Sequence, residues 1–296
     1  MVKLDVKHKV VLITGSSRGI GKALSRCFAA DGANLALADL PSQKNQLNIW
    51  ARELETSYGI KTWTFGIDLT ETDGPERLYD QVIDSTGGIN ILVNNAGICW
   101  YSKFYDIPQD KLEQVILLNC MAYAKLSRLF LTAMIRKNEG AILNVSSVAA
   151  FQPLPTLALY AATKAFTQSL SEAICYELPL RSKVVVATLN PPFTKTSLIE
   201  DAGIPDDFIP FSISFKDIDC VVESGYQAFK SGKRLYVPGW QNKLLHLGLA
   251  RYVPRRFANR VAWLCCRRWS DILPFGAADF FQESLIKRKD GKKELR

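Results

Sequence analysis

The amino-acid sequence predicts an α/β fold: a doubly wound parallel sheet of about seven strands in a single domain, followed by a helical C-terminal extension. Three observations carry this. Short apolar runs alternate with amphipathic helical stretches from residue 9 to about 237. The runs are continuously apolar, as strands covered on both faces require. A glycine-rich turn joins the first run to the first helical stretch, where folds of this class bind ligand.

In chain order, the strand-like runs fall at 9–14, 34–39, 63–67, 91–93, 141–145, 184–189 and 234–237. Helical patterns lie near 20–31, 43–58, 74–86, 109–137, 157–178 and 216–230. Strictly alternating strands and helices give a parallel sheet with helices on both faces and a crevice at the carboxyl ends of the strands. Beyond about residue 240 the pattern turns basic and aromatic, in helical segments broken by Pro254 and Pro274. The expected division is a catalytic domain over 1–240 and a basic helical extension over 241–296.

Composition narrows the function classes. The chain has 296 residues, 48% hydrophobic and 22% charged, ample for a large core. Met1 to Asp5 does not read as a signal peptide, and no run of about 18 uninterrupted apolar residues suggests a spanning helix. Seven scattered cysteines, an odd number without a CxxC pair, fit a reducing, cytoplasmic location. His8 and His246 supply all the imidazole, and neither lies near another candidate ligand. A metal site and a Ser-His-Asp triad are therefore not expected. The net charge of +8 resides in residues 241–296, which hold 13 Lys/Arg against 5 Asp/Glu; the first 240 residues balance.

The turn Thr14-Gly15-Ser16-Ser17-Arg18-Gly19-Ile20-Gly21 follows the first strand and opens a helix. Its glycines permit a tight turn and bring backbone N–H groups close to a pyrophosphate. Asp39 ends the second strand, 18 residues after Gly21, where an acidic side chain accepts hydrogen bonds from the adenine ribose and repels a 2′-phosphate. Arg18 pulls the other way, because a guanidinium can pair with that phosphate. Asp39 is weighted more, so NAD(H) is the preferred cofactor and NADP(H) the alternative.

Tyr160 and Lys164, four apart, share one helical face. An ammonium beside a phenol stabilises phenolate and lowers its pKa from about 10. Such a tyrosine can pass a proton to or from a carbinol or carbonyl oxygen. Ser147 lies thirteen residues upstream, just after a buried strand.

Taken together, TGSSRGIG at 14–21, Asp68-Leu69-Thr70, Asn94-Asn95-Ala96-Gly97, Asn119, Ser147 and Tyr160-Ala161-Ala162-Thr163-Lys164 resemble the classical short-chain dehydrogenase/reductase family, over residues 7 to about 238. The resemblance implies a Rossmann-type fold and hydride transfer between a nicotinamide and a secondary alcohol or ketone. It implies Tyr160 as general acid/base, Ser147 orienting the substrate oxygen, Lys164 also holding the nicotinamide ribose, and Asn119 keeping a water in a proton relay. Ser146, by the same spacing, is a structural hydroxyl. On the cofactor side it implies Gly15, Ser17, Arg18, Gly19, Ile20 and Gly21 of the turn, with Asp39. Asp68 and Leu69 lie at the adenine and Asn95, Ala96 and Gly97 at the adenosine ribose. Pro191, Thr194 and Thr196 lie beside the nicotinamide. This chain departs at Pro192, where the family usually has glycine, and in its long tail, which resembles a subset with basic, sometimes membrane-associated endings.

Residues 197–215, with Ile199, Ile204, Phe208, Ile209, Phe211, Ile213 and Phe215, read as an apolar lid suited to an apolar substrate, acyl or steroid-like, or equally as a packed loop. The expected assembly is a homodimer or homotetramer. In the tail, Phe257, Val261, Leu264 and Cys265 fall on one face of a helix over 255–268 and Arg256, Arg260 and Arg267 on a neighbouring one, with Trp263 and Trp269 adding aromatic bulk. That pattern suits peripheral docking on an anionic membrane surface, or packing on the domain or on a second subunit. Nucleic acid is not an expected partner, because the catalytic domain is charge-balanced. Readings from other classes are a non-catalytic dinucleotide sensor and a membrane-surface adaptor. Sensors of that kind generally lose the Tyr or the Lys; this chain keeps both.

Overall fold

Continuously apolar strands bury both faces; the seven runs join one sheet, in which the interior strands are buried and the two edge strands, at Thr62–Gly66 and Leu235–Tyr236, are only partly so. The computed structural model describes residues 3–194, 196–205, 217–244 and 254–266. Its strands are β1 (Val10–Thr14), β2 (Asn34–Asp39), β3 (Thr62–Gly66), β4 (Ile91–Asn94), β5 (Ala141–Val145), β6 (Val185–Leu189) and β7 (Leu235–Tyr236). They pair in parallel throughout, in the order β3-β2-β1-β4-β5-β6-β7. The order reverses between β1 and β4, which opens a crevice at their carboxyl ends. β7 has two residues rather than the four expected; it is an edge strand, and Pro238 follows closely.

The helices are α1 (Gly19–Ala30), α2 (Lys44–Tyr58), α3 (Gly74–Thr86), α4 (Gln109–Ile116), α5 (Tyr123–Lys137), α6 (Ala158–Glu177), α7 (Ser197–Asp201), α8 (Ile218–Lys230), α9 (Trp240–Lys243) and α10 (Arg255–Cys265). The two-residue period of the strands divides the core. Val11, Ile13, Leu35, Leu37 and Leu143 face Leu24 and Phe28 of α1, Leu47 and Leu54 of α2, and Tyr226 and Phe229 of α8. Leu12, Ala36, Leu92, Ile142 and Val186 face Leu78 of α3 and Leu126, Phe130 and Met134 of α5. Gly225 lets α8 sit close to β6, since an added Cβ would stand 2.6 Å from the Leu189 side chain.

The stretch predicted as one helix over 109–137 is continuous but not uniform. A π-helical segment, Leu117–Ala122, separates α4 from α5. By length and composition alone this stretch is apolar enough to cross a membrane. Its Leu126, Phe130 and Met134 are instead buried against the sheet.

The predicted tail helix forms as α10, but another face docks. Ala262 and Cys266, one turn apart, are buried in a cluster with Cys99, Leu154, Leu157, Ala161, Ala202 and Ile204. Small side chains at i and i+4 allow this close approach. Phe257, Val261 and Trp263 are exposed, at 61%, 41% and 47%. The side chains of Leu264 and Cys265, together with Arg267 and Trp269, lie outside the described residues, as do Phe208, Ile209, Phe211, Ile213 and Phe215 of the expected lid.

Candidate active site

The crevice begins where two loops are stitched together. Thr14 Oγ1 accepts hydrogen bonds from the N–H groups of Asn95 and Ala96, both at 3.0 Å. In return the Asn95 amide donates to the carbonyls of Thr14 and Gly15, both at 2.9 Å. The approach is close enough that a Cβ on Gly15 (φ +65°) would stand 2.8 Å from Ala96 Cα, and one on Gly21 would drive into the Gly15 carbonyl. At Gly19, φ is +56° and an added Cβ would meet only Ser197 Oγ, at 3.9 Å. The amino end of α1 is thus left open to the crevice, with unpaired N–H groups suited to an anionic ligand.

At the end of β2, Asp39 accepts from the N–H groups of Ser17, at 2.9 Å, and Leu40, at 2.8 Å. Arg18, its expected rival, is engaged elsewhere: its guanidinium pairs with Asp201 of α7. Asp68 closes its own turn, accepting from the N–H and hydroxyl of Thr70 at 2.8 and 2.7 Å.

Beyond the turn, β5 delivers two serines. Ser146 Oγ donates to the Lys164 carbonyl at 2.9 Å, a structural bond. Ser147 Oγ accepts from the N–H of Ala149 at 3.1 Å, and its hydroxyl favours the ionised form of the Tyr160 phenol. Tyr160 lies in the first turn of α6 and Lys164 one turn on, its Nζ 5.7 Å from the centre of the tyrosine ring and donating to the Val145 carbonyl at 3.0 Å. The expected lowering of the phenol by the ammonium is not the dominant effect. Burial pushes the Tyr160 phenol up, with Cys99 adding to the rise and the Ser147 hydroxyl opposing it. Burial also pulls Lys164 down to about 8. Both charged forms lose hydration, and that loss sets the direction of both shifts; for Lys164 it outweighs the opposing effect of Cys99 and Cys120.

Asn119 sits in the π-helical segment, fully buried. Its Oδ1 accepts from the N–H of Ile98 at 3.0 Å, while its Nδ2 donates to the Ile98 carbonyl at 2.9 Å and to Thr163 Oγ1 at 3.1 Å. Its carbonyl accepts from Thr167 Oγ1 at 3.3 Å. The side chain therefore clamps the loop after Gly97 to α6. An extra turn residue that re-aims a side chain is a common use of π geometry.

Gly15, Arg18, Gly19, Ile20, Asp39, Asp68, Leu69, Asn95, Ala96, Gly97, Ser147, Tyr160, Lys164, Pro191, Thr194 and Thr196 all line one cavity of about 450 Å³, within the range of ligand sites. Ser17, Gly21 and Asn119 stand behind its wall. Thr194 Oγ1 donates to the Pro192 carbonyl at 2.9 Å, fixing the loop that carries proline in place of glycine. The far end is mainly apolar: Cys99, Trp100, Val115, Leu118, Leu157, Phe193, Leu198 and Ile199. Sequence reasoning missed Thr14 as the stitch between loops, Thr163 and Thr167 as partners of Asn119, and Trp100 and Lys111 in the far wall. Thr14 and Thr163 stand inside the quoted motifs, but nothing in the spacing of the others marks them.

A parallel sheet with this switch point and these convergent side chains defines a dinucleotide-binding α/β protein. A family model described as short chain dehydrogenase matches residues 9–204, and the chain belongs to that family. It is 31% identical over 211 residues to the very-long-chain 3-oxoacyl-CoA reductase of Bos taurus, covering 67% of this chain and 65% of that one. It is 32% identical over 200 residues to the short-chain dehydrogenase/reductase family 16C member 6 of the same species, covering 67% and 63%. The match thus takes in less than two thirds of either relative. Among solved structures, a short-chain dehydrogenase from Sphingobium yanoikuyae in complex with NADPH superposes with a TM-score of 0.73 at 27% identity, over 83% of this chain and 96% of that one.

Proposed function

We propose that this chain is an NAD(P)(H)-dependent oxidoreductase that moves hydride between nicotinamide C4 and a secondary alcohol or ketone, with Tyr160 as general acid/base. The carrying observation is that Tyr160, Ser147 and Lys164 line the same cavity as the glycine turn. The open amino end of α1 and the acceptor at Asp39 fit a dinucleotide's phosphates and ribose. Bound there, the nicotinamide supplies or accepts the hydride. The chain's own residues manage the proton. Ser147 orients the substrate oxygen, and Tyr160 donates its proton to the oxygen as hydride reaches carbon, or takes it back in the reverse direction. Burial favours the protonated phenol, the form that serves ketone reduction. Lys164 holds the ribose and supplies positive charge near Tyr160, and Asn119 fixes the loop beside them.

NAD(H) is the preferred cofactor in this reading, because Asp39 faces the ribose end while Arg18 is held by Asp201. The substrate is apolar in its main part, as the far wall and the acyl-CoA reductase relative support. A homodimer or homotetramer fits the exposed Met121, Ile135, Phe166 and Tyr176 on the segments from Leu117 to Lys137 and on α6. Peripheral membrane docking fits the exposed face of α10. Turnover of NAD(H) and NADP(H) with a panel of alcohols and ketones tests the activity. Tyr160→Phe is expected to lower turnover by far more than tenfold while the dinucleotide still binds; activity within tenfold of the parent overturns the assignment.

A further inference from the structure

Among the described residues, six charged side chains line the cavity: Arg18, Asp39, Asp68, Lys111, Lys164 and Asp201. Five have a place in the reading above. Arg18 and Asp201 pair with each other, Asp39 and Asp68 accept from backbone at the dinucleotide end, and Lys164 stands beside Tyr160. Lys111 belongs to none of these. It lies on α4 with Gln114 and Val115, and its row runs on to Leu118; positions i, i+3, i+4 and i+7 make one face, and all four line the cavity. A cation thus ends an apolar row.

We infer that the substrate is an anionic amphiphile, with its carbonyl or carbinol at Tyr160, its apolar body along the far wall, and a carboxylate or phosphate ester at Lys111. This rests on the oxidoreductase reading for the reacting end only. Lys111 Nζ lies 5.8 Å from the centre of the Trp100 ring, so the ring forms a floor beside the charge. It donates to Gln114 Oε1 at 3.2 Å and stands 3.5 Å from the Asp110 carboxylate. An ammonium has three donors, and one remains for a ligand. The Asp110 side chain is 65% exposed and outside the cavity wall, so water weakens its hold. An anion in the cleft meets the ammonium against Trp100 and apolar neighbours, where a charge-assisted hydrogen bond is stronger. The Lys111 side chain is itself 35% exposed, so water serves the third donor until an anion replaces it.

Equilibrium binding to the full chain with saturating NAD(H) tests this, using decanoate, decyl phosphate and decanol as probes. The parent chain is expected to bind at least one of the two anions about tenfold or more tightly than decanol. Lys111→Gln is expected to bring that ratio close to one, and Lys111→Arg to keep most of it. The tighter anion identifies the headgroup as carboxylate or phosphate. Equal binding of all three probes by the parent, or a ratio unchanged in Lys111→Gln, overturns the inference; the second outcome places the anion elsewhere, such as on α10. Binding needs no turnover, so the two readings fail separately. Lys111-dependent anion binding by a chain that turns over no alcohol or ketone removes the oxidoreductase reading and leaves the anion site.

Discussion

Arg18 and Asp39 line the same crevice, and the sequence sets them against each other without saying which is available. The structure adds the third party. Asp201, on a short helix 183 residues further along the chain, holds the Arg18 guanidinium. Asp201→Asn removes that carboxylate and frees Arg18 for a 2′-phosphate. Both side chains are about half exposed, so the expected gain in the NADP(H)-to-NAD(H) affinity ratio is about two- to fivefold, the scale of a solvent-screened ion pair. Dissociation constants for both cofactors measure it, and an unchanged ratio means that the pair has no part in selection. Lys164 shows a second limit of sequence reading. Four-residue spacing correctly brings it near Tyr160, but spacing carries no information on burial, which decides the protonation of both. Because its folded pKa, about 8, lies below the ordinary lysine value of 10.5, the folded chain binds fewer protons than the unfolded chain between those values. The burial cost is fully present below pH 8 and is relieved as pH rises toward 10.5. Denaturant titrations without added dinucleotide should show stability rising through that window relative to Lys164→Met; parallel pH profiles for the two chains would refute the buried charge.

At the scale of elements, the strands were legible because an apolar run has few other uses, and the helices because their apolar residues recur at the helical period. The π-helical segment was not, since one extra residue in a turn leaves no mark on composition. Nor was the polar ladder inside the sheet. Asn94 reads as part of a turn, yet its side chain donates to Asn144 Oδ1 at 2.8 Å and to Ser127 Oγ at 3.1 Å, linking β4 to β5 and α5. Asn144 in turn donates to Ser171 Oγ of α6 at 2.8 Å. All four side chains are buried, so each depends on the others for its hydrogen bonds. Asn144→Ala leaves the Asn94 amide with Ser127 Oγ as its remaining acceptor and is expected to cost about 1–3 kcal/mol. Because the ladder ties α6, the helix that carries Tyr160, to the sheet at Ser171, turnover should fall along with the midpoint of unfolding. Stability within 0.5 kcal/mol of the parent, roughly the scatter of a neutral surface change, would mean that water replaces the lost bond.

At the scale of the whole molecule, the tail was legible in charge and period but not in orientation. An amphipathic pattern says that one face is covered, and leaves open by what. Here Ala262 and Cys266 cover the wall behind Leu157 and Ile204, which places α10 beside the substrate end of the cavity. The larger residues Phe257, Val261 and Trp263 are left facing outward, with Arg256 and Arg260 also exposed. Apolar and aromatic bulk flanked by arginines matches the boundary of an anionic lipid surface in both hydrophobicity and charge. A surface of that kind would present amphiphilic substrate next to the cleft. The full chain should sediment with vesicles containing anionic lipid and remain in solution with zwitterionic ones, and salt should reverse the binding as it screens the arginines. Phe257→Asp combined with Val261→Asp should abolish sedimentation while leaving turnover of a water-soluble alcohol in place, because both side chains point away from the cluster that holds α10. Sedimentation of the double variant equal to that of the parent would assign the contact to another surface, and no binding of the active parent to either vesicle would remove membrane docking altogether.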